Sequence, residues 1–270
     1  MNTGFLITAR LKSKRLPLKL LKDLHGQSVI HRVIQRAQTV SSIDEVVLCT
    51  STHPQDKKLV DIARETGISY FTGDEDDVLQ RLCDAAQAFD LDFFLSITAD
   101  NPLFSMVYAD KVADSFQNNP DFVIVTHLPL GTAVYGLNTR AVRVACAAKS
   151  IVDTEIWGYL LNQPHIFNVH TIATHGIYHN PHLRLTLDYE EDYQLISTLY
   201  DAIPFHSVLP LSAVLEYLHN HSQIARLNQE CHQRGLDTSL KEEIDRVYKE
   251  NHDKIMHLKE KIYADNNNTM

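Results

Sequence analysis

The 270-residue sequence lacks the patterns that most readily identify a protein. Its four cysteines, Cys49, Cys83, Cys146 and Cys231, show no CxxC spacing. That excludes a disulfide framework or zinc set and points to free thiols in a reducing compartment. No apolar run approaches the length needed to span a membrane, and the N-terminus lacks the basic-then-apolar order of a signal peptide. The expected location is therefore the cytoplasm. Positive charge is not in excess: the formal net charge is -9, which argues against nucleic-acid binding. There is no GxxxxGKS run, which excludes a P-loop NTPase, and no GxGxxG after the first apolar run, which leaves a dinucleotide site without its fingerprint. No internal repeat is present.

What is present begins at once. Phe5 to Ile7 reads as a buried strand, and the loop after it carries Arg10, Lys12, Lys14, Arg15 and Lys19. In an acidic chain this cluster is a local feature. Ligands of open α/β sheets bind where strands hand over to loops, so a cationic loop there suits a polyphosphate. Guanidinium forks from Arg10 and Arg15 and a point charge from Lys19 could hold it through side chains. Lys12 and Lys14 read as solvated bystanders.

Strand and helix signals then alternate. Glu45 to Cys49, Ile68 to Phe71, Phe93 to Ile97 and Phe122 to Val125 are strand-like. Apolar residues at helical spacing mark helices around 29–37, 59–66, 78–89 and 107–116. This order predicts an α/β fold with a mostly parallel mixed sheet and helices on both faces. Further strands are expected at Ala133 to Leu137, Phe167 to Thr174 and Leu183 to Leu187, with helices near 139–149, 153–162 and 189–200. The domain is expected to span 1–228. A helical extension over 229–270 follows, with a disordered end at Asn266 to Met270. Its apolar stripe, Leu240, Ile244, Val247, Ile255, Leu258 and Ile262, suits docking on the body or on a second subunit.

Two carboxylates stand at strand ends. Asp100 follows Phe93 to Ile97, and Asp188 follows Leu183 to Leu187. Alternation puts Arg184, Thr186 and Asp188 on one face and Leu183, Leu185 and Leu187 in the core. Two such carboxylates, completed by phosphate oxygens and water, suit Mg²⁺. Each has a second reading: Asp188 with Glu191 matches a capping box, and Asp100 before Pro102 matches a turn. Five histidines between His165 and His182 lack tight ligand spacing and read as a polar segment.

Four segments carry a resemblance: Arg10 to Lys19, Gly73-Asp-Glu-Asp-Asp-Val-Leu-Gln-Arg81, Thr98-Ala-Asp-Asn-Pro-Leu103 and Leu183-Arg-Leu-Thr-Leu-Asp188-Tyr-Glu-Glu-Asp192. In this order they resemble the cytidylyltransferase family of CMP-Kdo synthetases and acylneuraminate cytidylyltransferases, most nearly its SpsF-type spore-coat polysaccharide branch. The resemblance covers about residues 3–228. It implies a Rossmann-like nucleotidyltransferase fold, of the nucleotide-diphospho-sugar transferase type. It also implies transfer of CMP from CTP to a sugar acid or a sugar or polyol phosphate, with release of pyrophosphate. It places Ala9, Arg10, Arg15 and Lys19 at the triphosphate, and Gly73, Arg81 and Thr98 at the base or ribose. Asp100 and Asp188 become Mg²⁺ ligands and, with Arg10 and Lys19, the catalytic set. Glu155 and Arg184 fall to the second substrate; Trp157 nearby reads either as part of that pocket or as plain core. A homodimer is expected, with no nucleic-acid partner and no membrane insertion.

The chain departs from the family pattern in two places. Lys12 and Leu18 stand where glycines are common, and Gly131-Thr-Ala-Val-Tyr-Gly-Leu-Asn138 holds none of the carboxylates the branch usually carries there. Two other classes remain on the sequence: a glycosyltransferase of related fold, for which Asp90-Leu-Asp92 has DxD spacing but precedes its strand, and a non-catalytic nucleotide-binding homologue.

Overall fold

The computed structural model describes residues 1–152, 156–233 and 235–265. The chain opens with β1 (Thr3–Thr8), then a small hairpin of β2 (Asp23–Leu24) and β3 (Gln27–Ser28), and α1 (Val29–Ala37). Next come β4 (Glu45–Ser51), α2 (Lys57–Glu65), β5 (Ser69–Gly73), α3 (Val78–Ala88), β6 (Phe93–Thr98) and α4 (Met106–Ser115). The middle holds β7 (Phe122–Thr126), β8 (Tyr135–Asn138), α5 (Thr139–Ala148), α6 (Gly158–Leu161) and β9 (Val169–Ala173). The rest is helical: α7 (Glu190–Ala202), α8 (Leu211–Asn220), α9 (Ser222–Ala225), α10 (Thr238–Glu250) and α11 (His252–Asp265).

The described residues form a seven-stranded sheet in the order β5-β4-β1-β6-β8-β7-β9. Only β8 runs antiparallel to its neighbours. All six residues of β1 are buried, as expected of a central parallel strand covered on both faces. Its alternating side chains divide between two cores. Phe5 and Ile7 pack with α1, α2, α4, α7 and α8, while Leu6 packs with α3, α5 and the C-terminal helices. The expected α/β architecture is therefore present, and the carboxyl ends of six of the seven strands share one edge.

Two local expectations change, and a third is untested. Leu183 to Leu187 is extended but is no regular strand, having only one isolated bridge, Leu130 to Arg184. Its backbone pairs with loops: Leu185 N–H donates to Leu130 O at 2.8 Å and Leu187 N–H to Asp100 O at 2.9 Å. The segment is thereby laced across the loops that leave β6 and β7. The expected side-chain alternation persists, with Leu185 and Leu187 fully buried. The helix expected over 153–162 is only Gly158–Leu161, and Asp153 to Glu155 lie outside the described residues. The expected disordered end, 266–270, also lies outside them.

The tail stripe docks on this chain's own body. Ile244, Tyr248, Ile255 and Ile262 join the second core, with Tyr248 rather than Val247 facing inward. Tyr248 donates its hydroxyl to Leu160 O at 3.0 Å. The histidines do not converge: His179 stacks on His127 at 4.7 Å, while His165 stacks on His252 at 6.2 Å.

Candidate active site

The loop after β1 is shaped by a buried carboxylate and two leucines. Asp56 accepts Leu11 N–H at 2.7 Å and the Ser51 hydroxyl at 2.5 Å, while Leu11 and Leu16 are buried beneath the loop. Ala9 continues the strand, donating its N–H to Cys49 O at 3.0 Å. Leu18 then adopts φ 52°, a left-handed conformation that costs a branched residue on the order of 1 kcal/mol. The position favours glycine for that reason, and the turn swings Lys19 into the crevice.

Lys19 is the centre of the site. Its Nζ donates to Asp100 Oδ2 at 2.5 Å and to Asp188 Oδ1 at 2.9 Å. Burial alone would lower the Lys19 pKa, but the two carboxylates outweigh it and hold the ammonium above its ordinary value. Burial would likewise raise Asp188, yet Lys19, then Arg15 and Arg184, hold its carboxyl below the usual range. Arg15 reaches Asp188 Oδ1 at 2.8 Å and lies over the Tyr189 ring at 4.9 Å. Asp100 is oriented from its own turn: the Thr98 hydroxyl donates to Asp100 Oδ1 at 2.6 Å and accepts from Asn101 Nδ2 at 2.6 Å.

Behind Asp188 lies a buried strut that sequence reasoning missed. Arg184, expected at the second substrate, is only 8% exposed. It donates to Asp188 Oδ2 at 3.0 Å, to both oxygens of Asp192 at 2.8 and 3.0 Å, and to Gln233 Oε1 at 2.9 Å. Asp192 accepts the N–H groups of Asp188 and Tyr189 and the Asn228 amide. The capping carboxylate of α7 is therefore Asp192 rather than Glu191, one residue on from the expected box. That leaves the Asp188 side chain free of capping duty and facing the crevice. The signal was present in the acidic run Glu190-Glu191-Asp192, but its register was set by tertiary contacts.

The other predicted residues form a rim on the β5 side. Arg81 donates to Asp74 O at 2.5 Å and Glu75 O at 3.3 Å, holding the turn after β5 by its backbone. Arg10 donates to Glu75 O at 2.7 Å, and Lys12 pairs with Glu75 at 2.7 Å. Gly73 sits where an added Cβ would come within 3.0 Å of Arg81 Cγ and Phe71 Cε1. The structure thus divides the sequence-predicted set in two. Arg15, Lys19, Thr98, Asp100, Arg184 and Asp188 cluster together, while Arg10, Gly73 and Arg81 build the neighbouring rim. Glu155 lies outside the described residues. Asp90-Leu-Asp92 precedes β6, at the opposite edge of the sheet, where Asp92 accepts Asn2 N–H at 2.8 Å.

The residues fit a divalent cation in one respect. Two carboxylates from separate loops converge on a single point, now held by the Lys19 ammonium. Among the described residues no third His, Cys, Asp or Glu joins them, so a hard ion there would need substrate oxygens and water to complete its shell. Both carboxylates are thus held by cations on long side chains, Lys19 on both and Arg15 on Asp188.

Comparison with known proteins identifies the family. The family model described as cytidylyltransferase matches residues 5–206. A protein of Methanocaldococcus jannaschii is 26% identical over 233 residues, covering 85% of this chain and 96% of the relative. The spore coat polysaccharide biosynthesis protein SpsF of Bacillus subtilis is 28% identical over 204 residues, covering 73% of this chain and 85% of SpsF. Among solved structures, a cytidylyltransferase from Leptospira borgpetersenii superposes with a TM-score of 0.78 at 22% identity, covering 88% of this chain and all of that one.

Proposed function

The chain belongs to the cytidylyltransferase family, and from that premise we propose that it transfers CMP from CTP to a sugar acid or a sugar or polyol phosphate for surface-polysaccharide synthesis. The observation that carries the reading is the convergence of Lys19, Asp100 and Asp188 at the carboxyl edge of the sheet, beside the Arg10–Arg81 rim.

In this mechanism an acceptor oxygen attacks the α-phosphorus of CTP. The new P–O bond forms as the bond to the β-phosphate oxygen breaks. The products are the CMP-linked acceptor and pyrophosphate, and any hydroxyl proton passes to solvent. Arg15 and Lys19 leave the carboxylates and donate to phosphate oxygens, where their charge counters the negative charge growing on the leaving group. Arg10 extends the same field toward the rim. The backbone of Gly73 to Asp77, held by Arg81, gives the base and ribose a fixed edge to rest on. Arg184 and Asp192 hold Asp188 in one rotamer, and Thr98 does the same for Asp100. Asp100 and Asp188 are the residues that would hold a magnesium ion, which would supply Lewis-acid neutralisation of the phosphate oxygens.

A homodimer belongs to the same reading, and light scattering of the full chain checks it. Among the described residues no helix is long and apolar enough to cross a membrane. The function is tested by a pyrophosphate-release screen of four nucleoside triphosphates against sugar acids, sugar phosphates and polyol phosphates. Release that requires CTP, a divalent cation and one acceptor class is expected. Release with no acceptor dependence, or transfer from an intact nucleotide-sugar, would overturn it.

A further inference from the structure

Between α9 and α10 the chain runs against the segment that carries Asp188. Residues 228–233 of this link lie beyond the family-matched stretch 5–206. A link between two surface helices can stay fully hydrated. This one instead makes side-chain and backbone ties that end on residues holding the candidate site.

Asn228 is the buried end of the link, at 3% exposed. Its Nδ2 donates to Arg184 O at 3.1 Å and to Asp192 Oδ1 at 2.7 Å. Both partners are acceptors, so the network fixes the amide orientation and uses both of its N–H groups. Gln233 takes another arm of the guanidinium, accepting from Arg184 Nη1 at 2.9 Å. His232 acts through its backbone. Its carbonyl accepts the Tyr189 hydroxyl at 3.3 Å, and that hydroxyl in turn accepts from Arg15 Nη1 at 3.3 Å.

These ties converge on one carboxylate. Arg184 Nη2 is shared between Asp192 Oδ2 and Asp188 Oδ2, so its direction depends on how the Asp192 carboxylate lies. Asn228 pins the Asp192 oxygen that Arg184 Nε also uses, and it pins the Arg184 main chain at the same time. Gln233 holds the arm that points away from Asp188. With main chain and side chain held from one short segment, the guanidinium cannot tilt off Asp188. Tyr189 places Arg15 in the same way, and the other arm of Arg15 reaches Asp188 Oδ1.

We propose that residues 228–233 form a clasp that completes the active site, with Asn228 and Gln233 as positioning residues that act on Asp188 through Arg184 and Asp192. The inference rests on the CMP-transfer reading and adds to it residues that touch no substrate. Geometry matters on this scale, since a misplacement of about 1 Å costs on the order of 100-fold in rate.

The test uses the full chain and two independent readouts. Asn228→Leu keeps the volume of the side chain and removes both donors. It is expected to lower kcat for pyrophosphate release about 30-fold, with KM for CTP within about threefold of wild type. Mn²⁺ alone, titrated into the nucleotide-free chain and followed by electron paramagnetic resonance, is expected to bind about 10-fold more weakly. Gln233 is exposed, so its substitution leaves the urea midpoint unchanged and decides the matter if Asn228→Leu does not fold. Gln233→Leu should lower kcat about fivefold, while Gln233→Glu, which keeps an acceptor for Arg184, should stay within about twofold. Wild-type kcat and Mn²⁺ affinity in folded Asn228→Leu would overturn the clasp and leave it a brace of the fold. Equal kcat in Gln233→Leu and Gln233→Glu would overturn the Arg184 link. Absence of CTP-dependent pyrophosphate release in the wild-type chain would sink the parent reading instead, and the Mn²⁺ titration would still judge the clasp.

Discussion

Two lysine–aspartate clusters sit at opposite edges of the same sheet, and they are built for different ends. At the carboxyl edge Lys19 joins Asp100 and Asp188, with Arg15 and Arg184 beside them. At the amino edge Lys259 of α11 meets Asp121, just before β7, at 2.6 Å. Asp121 also accepts the Asn168 N–H at 2.8 Å and the Tyr263 hydroxyl, and Lys259 donates to Ile166 O at 2.8 Å. Every partner in the second cluster is fixed by backbone or by a docked helix, so the tail is clamped. In the first, the crevice-facing oxygens of both carboxylates are served by cations on flexible stems, which can change partners. The same ion-pair chemistry gives a staple in one place and an exchangeable site in the other; what differs is how many partners belong to the backbone.

The comparison breaks if the site cluster proves to be the staple. Asp100→Asn is expected to lower pyrophosphate release about 1000-fold, roughly 4 kcal/mol of transition-state stabilisation, with a small change in melting temperature. Lys259→Met should do the reverse, losing about 2 kcal/mol of stability in urea unfolding with turnover within about twofold of wild type. Equal loss of activity in both variants would erase the distinction. Lys19→Met sharpens it. Electron paramagnetic resonance should show Mn²⁺ binding about 10-fold tighter without nucleotide, because the ammonium no longer competes, while CTP turnover falls.

The pH response reports on the site cluster. Asp188 has a depressed folded pKa, so its contribution is present above the unfolded value near 3.9 and is lost as pH falls through the folded one. Lys19 has a raised pKa, so its contribution is full below the unfolded value near 10.4 and is lost as pH rises through the folded one. Urea titrations below about pH 4 should show a loss on the order of 1 kcal/mol that Asp188→Asn abolishes. The smallest effect is expected from Lys14→Met, whose turnover should stay within about twofold of wild type, since that exposed lysine serves neither cluster.

Much of the fold was legible because the strands are short apolar runs and the helices carry 3.6-residue periodicity. β1, β4, β6 and α3 lie within a residue or two of where pattern alone puts them. Leu183 to Leu187 misled because an extended, alternating segment looks the same whether it pairs with a strand or with loops. The site was half legible. Asp100 and Lys19 stand out by position after a strand and within a cationic loop. Asp192 was visible only as part of an acidic run, and Asn228 carried no mark at all, because its partners Arg184 and Asp192 lie 44 and 36 positions away.

By itself, then, the sequence determined an α/β chain with a cationic loop after its first strand and carboxylates after two later extended segments. Local chemistry is enough for that, since periodicity, turn residues and charge are properties of neighbours. Only the tertiary structure decided that Lys19 bridges Asp100 and Asp188, that Arg184 braces a carboxylate, and that the tail folds back on its own body. The Lys19 contacts join residues 81 and 169 positions apart, fixed when strand order and burial bring distant loops to one edge of the sheet; the Arg184 brace is close in sequence, but its geometry depends on that burial.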